Sequence, residues 1–175
     1  MGFHHLALVT NDTKATHQFY TEAMGFRLVK VEVGPTPTGG WSKHFFYDAG
    51  GEGMIAFWEL HDEKIPAPQT TSIADGLGVP VWTNHIAFSA QTREELDAYR
   101  ERWVKHGKDV LEVDHDWCIS VYTLDPNGIM VEFCYTTRPF REDEIQEAQS
   151  LLENDAPDMG KHVGESRVYR ASVSD

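Results

Sequence analysis

What the chain is short of narrows it first. It has only two cysteines, Cys118 and Cys134, and both sit in apolar, strand-like runs. So few thiols exclude a disulfide-stapled scaffold, and two buried free thiols in a reducing compartment are expected. No window approaches the ~20 consecutive apolar residues that a membrane-spanning helix needs. Basic residues are scarce as well: Lys plus Arg number 15 against 28 Asp plus Glu, a formal charge of −13. A chain this acidic repels nucleic-acid phosphates and anionic lipid, so neither is expected as a partner. The opening stretch MGFHHLALVTND has no basic segment ahead of its apolar run. It does not read as a secretory leader, and a cytoplasmic location is expected.

What is present is enough for a folded protein. At 175 residues, 41% hydrophobic and 11% aromatic, the chain can bury a sizeable core. It also repeats itself. His5-Leu6-Ala7-Leu8 is followed by a helical stretch over residues 13–24 and then Gly25; His85-Ile86-Ala87-Phe88 is followed by one over 92–106 and then Gly107. Each copy opens as a short strand and reaches a capping residue, Asp12 or Thr13 in the first and Thr92 with Glu95 in the second. Apolar residues then recur at helical spacing, and a glycine ends each helix.

Three strand-like runs follow each glycine: residues 26–33, 43–47 and 54–60, then 109–113, 118–124 and 129–135. The pattern predicts two tandem strand–helix–strand–strand–strand modules, at residues 1–60 and 82–136, joined by a Pro- and Gly-rich linker over 61–81. Such a fold is α+β, the modules pairing into a curved, partly open mixed sheet with a concave cleft. Residues 137–175 belong to neither copy. The spacing of Ile145, Ala148, Leu151 and Leu152 predicts an amphipathic helix over 141–153, followed by a polar, acidic arm.

Three residues stand in register with the repeat. His5 and His85 hold equivalent positions on the first strands, and Glu132 lies on the last strand of the second copy, after the turn Asp125-Pro126-Asn127-Gly128. Two imidazoles and one carboxylate on one face would leave coordination positions open, the pattern of non-haem Fe(II) oxygenases. His4 is the competitor of His5, but strand alternation sends it to the other face.

The paired modules with His5, His85 and Glu132 resemble the vicinal oxygen chelate superfamily over residues 3–136. That superfamily includes glyoxalases, fosfomycin-type thiol transferases and extradiol ring-cleavage dioxygenases. Val113-Asp114-His115, then Val121-Tyr122, Asp125-Pro126-Asn127-Gly128 and Glu132, is similar to the extradiol signature at every defined position. The resemblance implies that His5, His85 and Glu132 hold Fe(II), or Mn(II) or another divalent metal. It implies that Tyr122 hydrogen-bonds a catecholate oxygen and that His115 lines the pocket. The substrates would be a small aromatic diol and O₂, and the chain a homodimer whose modules pair within or between copies.

One departure is plain. The acid–base histidine usual on the last strand of the first module is missing from residues 51–57, and His44 on the preceding strand is the candidate replacement. By alignment the first-module counterpart of Glu132 is Phe57, so a fourth protein ligand is lacking; a slip of two would make Glu59 that ligand and turn the chemistry toward a glyoxalase or epimerase. A basic cluster for a phosphonate is lacking, since Lys105 and Lys108 lie at a helix end. Phe46, Phe57, Trp58 and Trp117 are expected to wall an aromatic substrate pocket. The reading of a different class is a metal-free protein that binds a drug or metabolite.

Overall fold

In the computed structural model of the chain, residues 3–51, 53–157 and 164–171 are described. The first module runs β1 (His5–Val9), α1 (Thr13–Gln18), β2 (Arg27–Pro35), β3 (Trp41–Asp48) and β4 (Met54–His61). Its strands form one sheet in the order β1-β4-β3-β2. The second module runs β5 (His85–Ala90), α3 (Arg93–Lys105), β6 (Val110–Asp114), β7 (Cys118–Leu124) and β8 (Met130–Thr136). Its sheet has the order β5-β8-β7-β6, extended by a fifth strand, β9 (Ser166–Tyr169), against β6. In each sheet the first strand pairs parallel with the last, and the remaining pairs are antiparallel. The fold is α+β with two mixed, open sheets, as the repeat predicts. No strand ladder joins the two sheets among the described residues, so β1 and β5 each keep a free edge.

The caps are local chemistry. Asp12, rather than Thr13, caps α1 by accepting from the Ala15 amide, and Thr92 caps α3 by accepting from Glu95. The first helix departs from the sequence expectation after one and a half turns. Residues Phe19–Ala23 widen into a π turn, with the Met24 amide bonded to the Phe19 carbonyl at 2.9 Å. The wider turn drives Phe19, Tyr20 and Ala23 into the core. Gly25 then takes φ +78°, and Arg102 of α3 comes so close that a Cβ there would sit 1.8 Å from its guanidinium. The left-handed backbone favours glycine, and the space it leaves lets Arg102 donate to the Met24 carbonyl.

One apolar core lies between the helices and both sheets. Leu8, Tyr20, Met24 and Phe57 from the first module join Leu96, Trp103, Val131 and Phe133 from the second. Each fully buried large side chain there contributes roughly 1.5–3 kcal/mol relative to exposure. A buried polar seam crosses the same boundary. Asp125 accepts from the Tyr20 hydroxyl at 3.1 Å and from the Asn127 and Ile129 amides at 2.8 Å, and the Asn127 amide nitrogen donates to Thr16 at 3.2 Å. The DPNG turn is therefore both a strand connection and a latch between modules.

The linker is partly ordered. A short helix, α2 (Ile73–Leu77), and a 3₁₀ turn over Val81–Thr83 lead the chain into β5. After β8, α4 (Glu142–Glu153) forms as the spacing predicts, held at its start by Arg138 and Arg141 on Glu144. The tail differs from the expected arm: β9 pairs with β6, and Arg100 lies over the Tyr169 ring at 4.6 Å. The remainder of that arm, at 158–163 and 172–175, lies outside the described residues. Both cysteines are free, as expected. No helix among the described residues is long and apolar enough to cross a membrane.

Candidate functional site

Strand register decides which side chains share a face. On the second sheet, Phe133 points to α3, with Tyr99 stacked at 3.9 Å and Trp103 at 5.1 Å. Glu132 therefore points to the opposite face, away from the helix. Tyr122 lies directly across from it on β7, and Ala87 on β5. At the start of β5, His85 brings its Nε2 to 3.1 Å from Glu132 Oε2. His115, at the end of β6, reaches over so that its Nε2 lies 3.0 Å from the Tyr122 hydroxyl. The structure thus brings together four of the expected residues: His85, Glu132, Tyr122 and His115.

The His85–Glu132 contact has a definite polarity. His85 Nδ1 lies 2.9 Å from the Trp82 carbonyl, which can only accept, so Nδ1 carries the proton. Nε2, a lone pair in the neutral ring and an N–H in the imidazolium, meets a carboxylate oxygen, itself an acceptor and only 6% exposed. The two atoms are held together by a proton on Nε2 or by a cation between them. This donor set fits a divalent metal: one imidazole with its tautomer fixed by a backbone carbonyl, and one buried carboxylate. Beside it, burial pushes the Tyr122 phenol up to about 12, with the Glu132 charge adding to the rise against a hydrogen bond with Ser120. Tyr122 is a hydroxyl, not a phenolate, at neutral pH.

On the first sheet the corresponding face carries His5, His44, Phe46 and Trp58. The His5 ring is 5.5 Å from Phe46 and 6.1 Å from His44. His44 stacks on Trp58 with centroids 3.8 Å apart and planes within 9°. Burial lowers the His44 pKa, and the neighbouring His5 adds to that against the pull of Glu32. His4 does not turn away as strand alternation predicts. It lies just before β1, and its Nδ1 sits 2.7 Å from His5 Nδ1.

Several expectations need correcting. Within one chain His5 does not join His85 and Glu132, and no group of three or more His, Cys, Asp or Glu able to hold a metal forms among the described residues. Phe57 is no pocket wall: it is fully buried on the helix side, 4.8 Å from Tyr20. Glu59 shares that helix side, since it lies across from Lys43 and two residues beyond Phe57. There it is bound by Lys43 at 2.8 Å and His61 at 2.7 Å, which hold its carboxyl at about 2 although burial alone would raise it. It is not placed to be a fourth ligand. The first-module counterpart of Glu132 is Ala56, which faces Ala7 in β1 as Glu132 faces Ala87 in β5; it is not Phe57. Trp117 sits at the β6–β7 turn against Phe140, at 4.8 Å.

One residue was not singled out by sequence reasoning. Trp82 serves through its backbone carbonyl, which carries no side-chain signal. Of the two neighbouring aromatics expected on the pocket wall, Trp58 is the one on the open face, because it alternates with Phe57.

The glyoxalase/bleomycin resistance protein/dioxygenase superfamily model matches residues 2–133. No curated protein matches the sequence. Among solved structures, a glyoxylase/bleomycin resistance protein/dioxygenase domain from Frankia sp. EAN1pec is 20% identical, with a TM-score of 0.58, covering 78% of this chain and 98% of that one. Lactoylglutathione lyase from Agrobacterium tumefaciens is 23% identical, with a TM-score of 0.51, covering 77% and 92%. The fosfomycin resistance protein FosX from Listeria monocytogenes is 21% identical, with a TM-score of 0.52, covering 78% and 94%. These likenesses are of fold. The family match spans most of the chain, and the chain belongs to the glyoxalase/bleomycin resistance protein/dioxygenase superfamily.

Proposed function

We propose that the protein is a divalent-metal-dependent oxygenase of the extradiol type, acting on a catechol-like aromatic. Members of the superfamily commonly use divalent metals, and the observation that carries this reading is the 3.1 Å contact of His85 Nε2 with the buried Glu132 Oε2. Fe(II) is the metal proposed, held by His85 and Glu132 together with His5 of a second copy. The free edges of β1 and β5 support assembly of two copies there, since unpaired strand edges are ready sites of association. Bound there, the metal would act as Lewis acid toward a vicinal diol and supply an open position for O₂.

The remaining work falls to the chain. Ala56 puts no carboxylate where the second module has Glu132, which leaves three protein ligands and room for a bidentate diol. Tyr122, protonated, donates to a diol oxygen, and His115 orients that hydroxyl or takes its proton. His44 is held neutral by burial on the facing wall, suited to accept a proton rather than to carry charge.

The test is anaerobic reconstitution with Fe(II), metal analysis, and then O₂ uptake across a catechol panel. About one Fe(II) per chain and a yellow ring-opened product are expected. Tight metal binding with no O₂ uptake would overturn the oxygenase reading in favour of a lyase or isomerase. No metal binding would leave a small-molecule binding protein.

A further inference from the structure

The outer edges of the two sheets are finished differently. In the second module the outermost strand of the repeat, β6, is covered by β9. Its counterpart in the first module, β2, pairs with β3 on one side and carries no strand on the other among the described residues. β2 runs nine residues from Arg27 to Pro35, or ~30 Å at about 3.3 Å per residue. A bare edge of that length presents unpaired amides and carbonyls to any extended chain that fits it. Its side chains sort by face. Lys30 and Glu32 lie across from Phe46 and His44, on the open face of the sheet, while Val31 and Val33 lie across from Phe45 and Lys43 on the helix side. The helix layer leaves these valines uncovered, Val31 at 48% exposed and Val33 at 66%. β2 is also locally cationic, Arg27 and Lys30 against Glu32, so charge repulsion between two copies of an acidic chain is relieved here.

Charge picks out one partner and one register. A two-fold axis normal to the sheet sets two β2 strands antiparallel and keeps every side chain on its own face, so the axis passes through a residue paired with itself. On Lys30 it would bring two ammonium groups together, and on Glu32 two carboxylates. On Val31 it sets Lys30 across from Glu32 of the second copy, and Glu32 across from that copy's Lys30. No other centre in the strand pairs an acid with a base. Within one strand Lys30 and Glu32 already meet at 3.2 Å, so this register closes a ring of four alternating charges on the open face. On the other face it packs Val31 against itself and Val29 against Val33. The register shift of β2 against β3 falls between Leu28 and Lys30, outside the three residues at the axis.

We propose that β2 is a homotypic docking edge, at which two copies of this chain join strand to strand about an axis at Val31 and fuse their first sheets into one. β1 lies at the far end of that sheet. The contact is therefore separate from the one proposed for the metal site, and a chain that uses both assembles beyond a dimer.

Light-scattering mass of the full-length protein, followed over a dilution series, reads the contact. Lys30→Glu and Glu32→Lys each set like charges across the axis. Each is expected to halve the mass, or to raise the concentration needed for assembly about tenfold. Mixed in equal amounts, the two variants are complementary across the axis and should regain the parent mass. The double variant Lys30→Glu/Glu32→Lys, which exchanges the two signs, should keep it. Both side chains are more than half exposed, so circular dichroism should be unchanged in all three. The same mass for the parent and both single variants at every concentration would overturn the docking edge. Loss in the single variants with no rescue by mixing or by the double variant would overturn pairing about Val31. None of these changes touches His5, His85 or Glu132, so metal bound per chain, measured on the same samples, separates a failure here from a failure of the metal site.

Discussion

His85 turns one ring nitrogen to the Trp82 carbonyl and the other to the Glu132 carboxylate, so a backbone oxygen dictates which nitrogen faces the buried acid. Glu132→Gln keeps the shape and replaces the anion by a neutral amide. Affinity for Fe(II) or Co(II) is expected to fall at least ~100-fold, since losing a ligand costs more than losing one of its supporting contacts. Anaerobic metal titration with circular dichroism reads the loss against an unchanged fold. A Gln variant that binds metal as tightly as the parent would remove Glu132 from the ligand set.

His5 lies on the other sheet, and the proposed site takes it from a second copy. His5→Ala and His85→Ala chains, each unable to bind metal alone, are expected to regain binding when mixed. In a two-fold dimer with random exchange, about a quarter of sites carry all three native ligands. Recovery after mixing, measured by metal analysis, checks this. No recovery despite demonstrated chain exchange would place the three ligands within one chain.

Tyr122→Phe removes a hydroxyl that faces His115 and lies beside Glu132 without being a ligand. Turnover is expected to fall about ten- to a hundredfold while metal affinity changes little, because hydrogen bonding to the reacting group is lost. The phenol sits at about 12, so the alkaline limb of the rate profile below that pH should be the same in both proteins.

Glu59 gives a stability prediction with a definite sign. Its folded value, about 2, lies below the ordinary 4.5, so the carboxylate stabilises the fold above pH 4.5. That contribution is lost as pH falls from 4.5 toward 2. Glu59→Gln should flatten the acid limb of urea-denaturation stability in that window and leave metal binding at pH 7 intact. An unchanged acid limb would mean that Lys43 and His61 hold the carboxylate no better than water does.

The latch between modules is open to test at Asp125 and Tyr20. Tyr20→Phe leaves Asp125 its other donors and should cost ~1–2 kcal/mol. Asp125→Ala strips four hydrogen bonds and orphans the Tyr20 hydroxyl, for an expected ~3 kcal/mol or more in urea unfolding. Near-equal losses would show that the Tyr20 contact carries the whole latch.

Much of this was legible before any coordinates. The 80-residue offset of His5 and His85, the caps and the terminal glycines predict both modules, because amphipathic periods and turn chemistry are local. Phe57 and Glu59 were misplaced because facing depends on register, and a slip of one residue moves a side chain to the other side of a sheet. The parallel pairing of β1 with β4 sets Ala56, not Phe57, opposite Ala7, and no linear alignment contains that fact. β9 escaped notice because a short edge strand of mixed polarity carries little alternation. The separation of His5 from His85 was beyond reach for another reason: how two modules dock is decided by surfaces distant in sequence.

The Ala56–Glu132 mismatch has one more consequence. The two halves keep a common frame, yet at matched positions one bears a methyl group and the other an acid, so the duplication has lost its chemical symmetry while keeping its geometric one. A repeat in that condition can change its reactivity at one half while the other preserves the fold. Position 56 is where such drift would register first, since a carboxylate there would share the open face with His5.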